Sequence, residues 1–564
     1  MNIKPKILEA INLDQLGIQI KEEMLSVPPN PDMGDFSLPC FSFAKELRKS
    51  PVQIAEDICK NIKNGGIIQE AKVLNGYVNF YLNKKILCSN VLTEILSNEG
   101  KFGSSTVGNG KTICLDFSSI NLAKYMHIGH LSTTAIGNSL TQIAKFLGYN
   151  TVAINYIGDY GTPFGKMVAG YKLWGNDEDL AKKGVEYIQD LYIRFCQEAD
   201  KNPELDDMAR ETFKKIEEKD PEVFPIYSKF IKYSIEEAEK MYALLNITFD
   251  SWRGESYYSD KLKPVVDELN TAGLLQDSQG AKVVDLSDHN LGVCLITKKD
   301  GTSLYATRDL AAADDRYINY NFEKSIYVTD VSQKLHFAQF FKILDLLNRP
   351  YSKGLVHVAY GRFSLPEGKI SSRLGKQALL KDIFEYSITK TKKIMDERGN
   401  KNVDKLRVAQ EVGMGAVIFS ALKNEKIKDV VFNIDEALDF EGETSPYIQY
   451  THARCCSILE KAGENNYLID KFDFSQVNNT ESIELVKLLN NFPSTVEYAF
   501  KNYEPCYISR LLIDISKAYN KYYATNRVIE EDGVNYSRLA ITKATKIVLS
   551  NGLKLLGISA IEKM

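Results

Sequence analysis

The 564 residues predict a multidomain α/β chain in three parts: a small N-terminal α+β unit, a parallel-sheet domain carrying a helical insertion, and an all-α C-terminal helical bundle. Three observations carry that prediction. The chain is too long for one hydrophobic core, so three or four domains is the natural expectation. "TICLDF" (112–117), "IGHLSTTAIGNSLTQIAKFLGY" (128–149) and "NTVAINYIGDYG" (150–161) read in close succession as strand, helix and strand, the start of a parallel sheet. From about 396 to the end nearly every segment has helical periodicity, closing with "RLAITKATKIVLSNGLKLLGI".

In chain order, residues 1–105 open with a helix and a Pro- and Gly-punctuated turn, "PPNPDMGDFSLPCFSFAKELRKSP". "AKVLNGYVNFYLN" then reads as strand, turn, strand. "NEGKFGSSTVGNGK" has the composition of a linker. Residues 106–395 form the sheet domain, with the insertion over about 170–300, where amphipathic segments such as "EDLAKKGVEYIQDLYIRFCQEA" dominate to about 275. The sheet pattern resumes in "KSIYVTDV" and "GLVHVAYG". Residues 396–564 are the helical bundle. No internal repeat or low-complexity tract interrupts them.

With 44% hydrophobic and 26% charged residues, the composition is that of a globular protein rather than a disordered one. The formal net charge of -4 excludes a global basic field, so any nucleic-acid binding must use local basic and aromatic surfaces. Nine cysteines, an odd number without a CxxC pair, fit free thiols in a reducing compartment better than a disulfide frame or a zinc site. No apolar run reaches a membrane span and the first residues lack a signal-peptide core, so a cytoplasmic location is expected.

The stretch "SSINLAKYMHIGHLSTTAIGNSL" (118–140) concentrates potential positive charge where a strand gives way to a helix. In a doubly wound sheet that place offers free N–H groups and the positive end of a helix dipole. Asp116 ends the strand; Ser118, Asn121, Lys124, His127 and His130 follow, and Gly129 admits close approach of a ligand. Three readings compete: a metal pair, an anion site, or two ordinary histidines. A metal wants a third ligand that no neighbouring Cys or second HxxH supplies. The lysine, the glycine and the strand-to-helix context weigh toward an anion.

This stretch resembles the "HIGH" signature of class I aminoacyl-tRNA synthetases, and more narrowly its arginyl-tRNA synthetase form, S-x-P-N-x-A-K-x-x-H-x-G-H-L-R-S-T. Ile120 and Ser132 depart from that pattern, where the family usually has Pro and often has Arg. The resemblance implies a Rossmann-type catalytic domain and four further segments in order. "NYIGDYGTPFGKM" is similar to the family's nucleotide-side turn, implying roles for Gly158, Asp159 and Gly161, although Pro163 replaces the usual Gln. "SLYATRDLAAADDR" resembles the amino-acid pocket helix and implies Tyr305 and Asp309 there. A carboxylate suits the guanidinium of arginine, which it can grip bidentately. "YVTDVSQKLHFAQFF" implies Gln333 in the same pocket, with Asp116, Ser118 and Asn121 toward the other end of the amino acid. "GRFSLPEGKISSRLGKQ" stands in place of the mobile K-M-S-K-S loop, with Lys369 and Ser371 but no second lysine. That departure sharpens the expectation for Lys124, which is thought to compensate in such enzymes.

The resemblance extends to the C-terminus, where "FEGETSPYIQYTHARCCSIL" and "NGLKLLGISAIEKM" imply anticodon contacts from Tyr447, Tyr450, Arg454, Tyr519, Tyr523 and Met564. Aromatic faces and arginine planes are what single-stranded bases stack on. Tyr77 and Asn79 match positions near the tRNA elbow. The implied partners are tRNA(Arg), L-arginine and ATP with Mg²⁺. No tightly bound cofactor, no protein-bound metal, no membrane and a monomer are expected. The insertion could be imagined as an editing domain, but a charged guanidinium in an acidic pocket rejects neutral competitors without one. Two other classes remain open: another HIGH-type nucleotidyltransferase and a catalytically silent tRNA-binding relative. The first would want zinc-ligand cysteines or a shorter chain. The second should have lost Lys124, a HIGH histidine or Asp309.

Overall fold

The structure is a computed structural model that describes all residues except 1–2, 13–15, 64–65, 300–304, 367–378, 398–403, 464–476 and 532. Strands are numbered β1 (Phe36–Pro39), β2 (Ile68–Leu74), β3 (Tyr77–Leu82), β4 (Thr112–Asp116), β5 (Asn150–Ile154), β6 (Leu275–Ser278), β7 (Ala281–Asp285), β8 (Val293–Thr297), β9 (Lys324–Asp330) and β10 (Leu355–Tyr360).

The N-terminal unit is an antiparallel sheet in the order β1-β3-β2. Helix Pro51–Lys60 packs on it, started by a capping box in which Ser50 and Gln53 satisfy each other's backbone N–H groups ahead of Pro51. The segment read as a linker is a packed corner. Phe102 is buried and stacks on Phe492 of the C-terminal bundle with ring centroids 6.2 Å apart, and the Glu99 and Phe102 carbonyls accept from Asn551. Gly103, at φ +92°, passes so close to Phe492 that a Cβ would lie 2.6 Å from its ring.

The central sheet is parallel, in the order β10-β9-β4-β5. The chain leaves β4 for β5 on one side and returns, after the insertion, to β9 on the other. The crevice at the carboxyl ends of β4 and β9 is therefore a topological switch point, where such sheets bind ligands. Helix Leu131–Phe146 follows β4 and is buried nearly all round, which explains its run of small residues. It lies between the sheet and the C-terminal helices: Thr133 donates to the Val328 carbonyl of β9, and Ser139 donates to the Leu555 carbonyl. At Gly137 the contact with Phe117 is so close that a Cβ would fall 2.1 Å from that ring.

Four helices, Asp177–Lys183, Val185–Ala199, Glu204–Glu217 and Phe224–Leu244, make the first part of the insertion. The longest braces the turn after β4: Tyr242 Oη bonds Ser118 Oγ at 2.7 Å and accepts from Asn155 at 3.0 Å, while Ser234 Oγ accepts from the Ala123 N–H. The expectation of a helical insertion as far as residue 300 is corrected. After helix Leu262–Thr271 the chain forms an antiparallel sheet, β6-β7-β8, with Gln279 and Gly280 both at positive φ in the first hairpin turn. Two successive residues with φ above zero match the twist of a tight hairpin.

The C-terminal part is helical as expected, with helices Lys405–Leu422, Ser445–Ala462, Thr480–Asn490, Phe492–Lys501, Cys506–Thr525 and Tyr536–Leu555. Gly137→Ala should overpack the helix–strand contact at Phe117 and cost about 1–3 kcal/mol. This is read as a lower thermal unfolding midpoint; an unchanged midpoint would mean Phe117 yields freely.

Candidate active site

Asp116, at the carboxyl end of β4, is buried and paired with buried Arg316, Nη2 to Oδ2 2.6 Å, while its Oδ1 accepts from Ser119 at 2.8 Å. Ser118, Ser119 and Ala123 follow at φ +71°, +38° and +60°. Left-handed backbone at three non-glycine residues is costly and persists only where surroundings over-determine it, a signature of functional loops. Here the surroundings are visible. Ser118 N–H donates to Thr133, and its Oγ bonds Thr134 and Tyr242.

Asn121 runs beside Gly158, joined by backbone bonds between Ile120 and Gly158 (2.9 Å) and between Leu122 and Gly158 (3.1 Å). A Cβ at 158 would lie 2.2 Å from Asn121 Oδ1, so this crossing of two loops requires glycine. The exposed Lys124 sets its Nζ 5.9 Å from the Tyr192 ring centre.

The two histidines cap the short 3₁₀ turn Ile128–His130 reciprocally. Gly129 N–H donates to His127 Nδ1 (3.1 Å) and His127 N–H donates to His130 Nδ1 (3.2 Å), with ring centroids 4.0 Å apart. An Nδ1 that accepts places the proton of a neutral imidazole on Nε2. Burial, then Lys124, pushes His127 below its ordinary pKa; burial, then His127, lowers His130 to about 4. Both rings are therefore neutral at physiological pH, each with one Nε2–H to donate. A Cβ at Gly129 would crowd His127 at 2.9 Å. A neutral donor pair at the head of a helix suits phosphate oxygens.

An acidic cluster is formed by Asp159, Glu255 and Asp309. Asp159 is buried and accepts from the Ser256 N–H (2.8 Å) and Oγ (2.6 Å), and burial raises its pKa. Gly161, at φ +110°, turns the chain into the next helix. Glu255, which the sequence reading did not single out, faces Arg308 Nη1 at 3.4 Å. Burial foremost pushes its pKa up to about 7, Arg308 opposes, and Asp309 and Asp159 add to the rise. Asp309, near the start of helix Tyr305–Tyr320, is mostly buried and its Oδ2 accepts from His336 Nε2 at 2.6 Å. Tyr305 is 66% exposed, and Gln333 is exposed at the head of helix Lys334–Leu346. Lys369 and Ser371 lie outside the described residues.

In the C-terminal bundle, Tyr450 (37% exposed) and Tyr523 (36%) flank Arg454, whose guanidinium lies 4.8 Å and 5.8 Å from their ring centres. Tyr447 Oη accepts from Asn520 at 3.0 Å, and Met564 packs partly buried against the cluster around Met395 and Val408. The expectation for Tyr519 is corrected: it is fully buried, bonded to Thr542 and stacked under Tyr523, so it supports the platform and offers no face to a base. Asn79 is likewise buried and accepts from Ser37 at 2.7 Å, whereas Tyr77 is 39% exposed and packs edge-on to exposed Phe41. Among the described residues no group of three or more His, Cys, Asp or Glu is arranged to hold a metal ion, and no helix is long and apolar enough to cross a membrane.

Comparison with known proteins agrees with this geometry. Residues 91–434 match the family "tRNA synthetases class I (R), catalytic domain", residues 448–564 the DALR anticodon binding domain, and residues 1–82 the arginyl tRNA synthetase N terminal domain. The arginine–tRNA ligase of Alkaliphilus metalliredigens is 42% identical over 566 residues, and that of Halothermothrix orenii 42% over 568, each covering 100% of both chains. Among solved structures, Thermus thermophilus arginyl-tRNA synthetase superposes with a TM-score of 0.81 at 25% identity, covering 100% of this chain and 99% of its own. The Plasmodium falciparum enzyme gives 0.80 at 25%, covering 100% and 98%. With a class I catalytic match over more than half its length and relatives aligned from end to end, the chain belongs to the arginyl-tRNA synthetase family.

Proposed function

We propose that the chain ligates L-arginine to tRNA(Arg) using ATP, through an arginyl-adenylate, with release of AMP and pyrophosphate. The observation that carries this reading is the pairing of two chemistries at the carboxyl ends of β4 and β9. Neutral histidines at a helix head suit a triphosphate, and a neighbouring carboxylate cluster raises the Glu255 pKa to about 7, a rise that a bound cation would reverse. In this reading Asp309 and Glu255 face the guanidinium, with Tyr305 and Gln333 closing the pocket. Ser118, Asn121 and, through Ser119, Asp116 shape the end nearer ATP.

The arginine carboxylate attacks the α-phosphorus in line: one C–O–P linkage forms and the bond to the pyrophosphate oxygen breaks. The 2′-hydroxyl of the terminal ribose then takes the arginyl group, its proton leaving as AMP departs. No covalent enzyme intermediate is required, so rate comes from positioning and from stabilising moving charge. His127 and His130 donate Nε2–H bonds to phosphate oxygens, and Lys124 and Lys369 offset charge gathering on pyrophosphate. Gly129, Gly158, Asp159, Gly161 and Ser371 complete the nucleotide site, and Mg²⁺ enters as part of the substrate with ATP. Residues 1–105 would meet the tRNA elbow through Tyr77, with buried Asn79 behind it. Residues 106–395 are the catalytic unit. In residues 396–564, Tyr447, Tyr450, Arg454, Tyr523 and Met564 would face the anticodon, Tyr519 backing them. Burial raises the thiols of most of the cysteines, which fits the cytoplasm; a monomer is the simplest working form.

Purified protein should support ATP–pyrophosphate exchange with arginine when tRNA(Arg) is present; exchange driven by a different amino acid would overturn the assignment. Leaving a buried charge unpaired costs about 3–5 kcal/mol. Asp309→Ala should accordingly raise the arginine KM by about two orders of magnitude or more while the ATP KM moves little. Equal effects on both constants would remove Asp309 from the arginine pocket.

A further inference from the structure

We propose that His336 is a positioning residue for the arginine pocket, holding the Asp309 carboxylate for the guanidinium when its ring is neutral and competing for that carboxylate when its ring is charged. The inference rests on the reading of Asp309 as the guanidinium partner.

The geometry is specific. His336 stands in the first turn of helix Lys334–Leu346, and Asp309 just past the first turn of helix Tyr305–Tyr320; the Nε2–Oδ2 distance is 2.6 Å. Both side chains are mostly buried, 29% and 20% exposed. The ring is fixed by aromatic contacts, edge-on to Phe337 at 5.4 Å and stacked with Phe340 at 6.4 Å. Among the described residues Asp309 Oδ1 takes no hydrogen bond, and Oδ2 keeps a second lone pair. A neutral Nε2–H thus orients the carboxylate while leaving both oxygens able to receive a forked guanidinium. A protonated ring supplies a second cation in contact with the same group, and two cations so placed repel.

Other titratable groups around the pair define the pH window. Burial pushes His336 down, but the hydrogen bond and charge of Asp309 outweigh it and raise the ring above its ordinary 6.5. His357 of β10, stacked on Phe337 and bonded to Thr329, is lowered to about 4, by burial first and then by His336 and Lys334; it stays neutral in the window. Cys294 of β8 is raised to about 11, burial first, then Asp309, and is neutral too. Tyr156 and Tyr327, toward which Asp309 also acts, have their hydroxyls raised by burial and do not ionise here. Glu255 does titrate in the window, at about 7.

The signs agree. Arginine favours neutral His336 and ionised Glu255, so binding expels a proton from each group that carries one, and affinity rises with pH until both are deprotonated. At pH values below both pKa values, arginine binding would release up to two protons.

The experiment measures arginine KM in tRNA charging from pH 5.5 to 8.5, with calorimetry in buffers of different ionisation enthalpy to count protons released by arginine. Wild type, His336→Gln, His336→Ala, Glu255→Gln and Asp309→Asn are compared. Glutamine can still donate to Asp309 but does not titrate. His336→Gln should keep the pH 8 KM within about threefold and release one proton fewer near pH 6, flattening the limb from a limit of about a hundredfold per pH unit, for two protons, toward about tenfold, for one. His336→Ala should raise KM at pH 8 with kcat at saturating arginine nearly unchanged. If His336→Gln retains the full wild-type pH dependence and proton count, or His336→Ala leaves KM unchanged at pH 8, the inference is wrong. If Asp309→Asn leaves the arginine KM unchanged, the underlying reading of Asp309 fails instead, and the two failures are told apart by that variant.

Discussion

The buried ion pair between Asp116 and Arg316 ties together the two walls of the crevice. Asp116 ends the central strand, and Arg316 belongs to the helix that carries Asp309 two turns earlier. With side chains 6% and 3% exposed, neither charge has water to fall back on, so each depends on the other. The pair holds that helix against β4, and the second oxygen of Asp116, through Ser119, starts the left-handed turn that leads to Lys124 and the histidines. Arg316 also lies over Tyr156 and Tyr327, 5.4 Å and 5.2 Å from their ring centres, which gives its remaining face aromatic cover. Movement of this one contact would disturb both halves of the site.

Those halves solve opposite electrostatic problems. At the helix head burial lowers both histidines, and Nδ1 of each accepts a backbone N–H, which leaves each neutral ring an Nε2–H to donate. In the neighbouring pocket, carboxylates are gathered beyond what Arg308 neutralises, and Glu255 is pushed toward protonation. A guanidinium relieves that strain; a neutral amino acid does not. The insertion braces the site: Tyr242, Ser234 and Tyr227 bond the backbone or side chains of the site loops from one long helix.

Sequence patterns reached the elements and residues whose signal is local. Strand, helix and strand around the histidines and the helical C-terminus follow from periodicity, while the order of the motifs follows from the family resemblance. What stayed hidden depends on partners far apart in the chain. Asp116 and Arg316 are 200 residues apart, and nothing in "DDRYINY" marks the arginine as buried. Glu255 sits in "RGESYYSD", a run that reads as a solvated turn until the fold sets it beside Arg308. His336 lies within "YVTDVSQKLHFAQFF", where nothing local marks its contact with Asp309, 27 residues away. The β6–β8 sheet was obscured by the charged helices preceding it, although Gln279-Gly280 between alternating residues was a hairpin signal. Tyr519 and Tyr523 are one helical turn apart, and sequence alone does not say that only the second reaches the surface.

A double-mutant cycle on the buried pair tests this account most directly, reading unfolding free energy and arginine KM together. Arg316→Met should destabilise the protein by about 3–5 kcal/mol, because it strands the Asp116 charge, and should raise arginine KM as the pocket helix loses its anchor. Adding Asp116→Asn should recover a large part of the stability while leaving KM high. If Arg316→Met leaves both stability and KM unchanged, or if the double variant regains wild-type KM, the ion pair does not hold the two walls of the site in place.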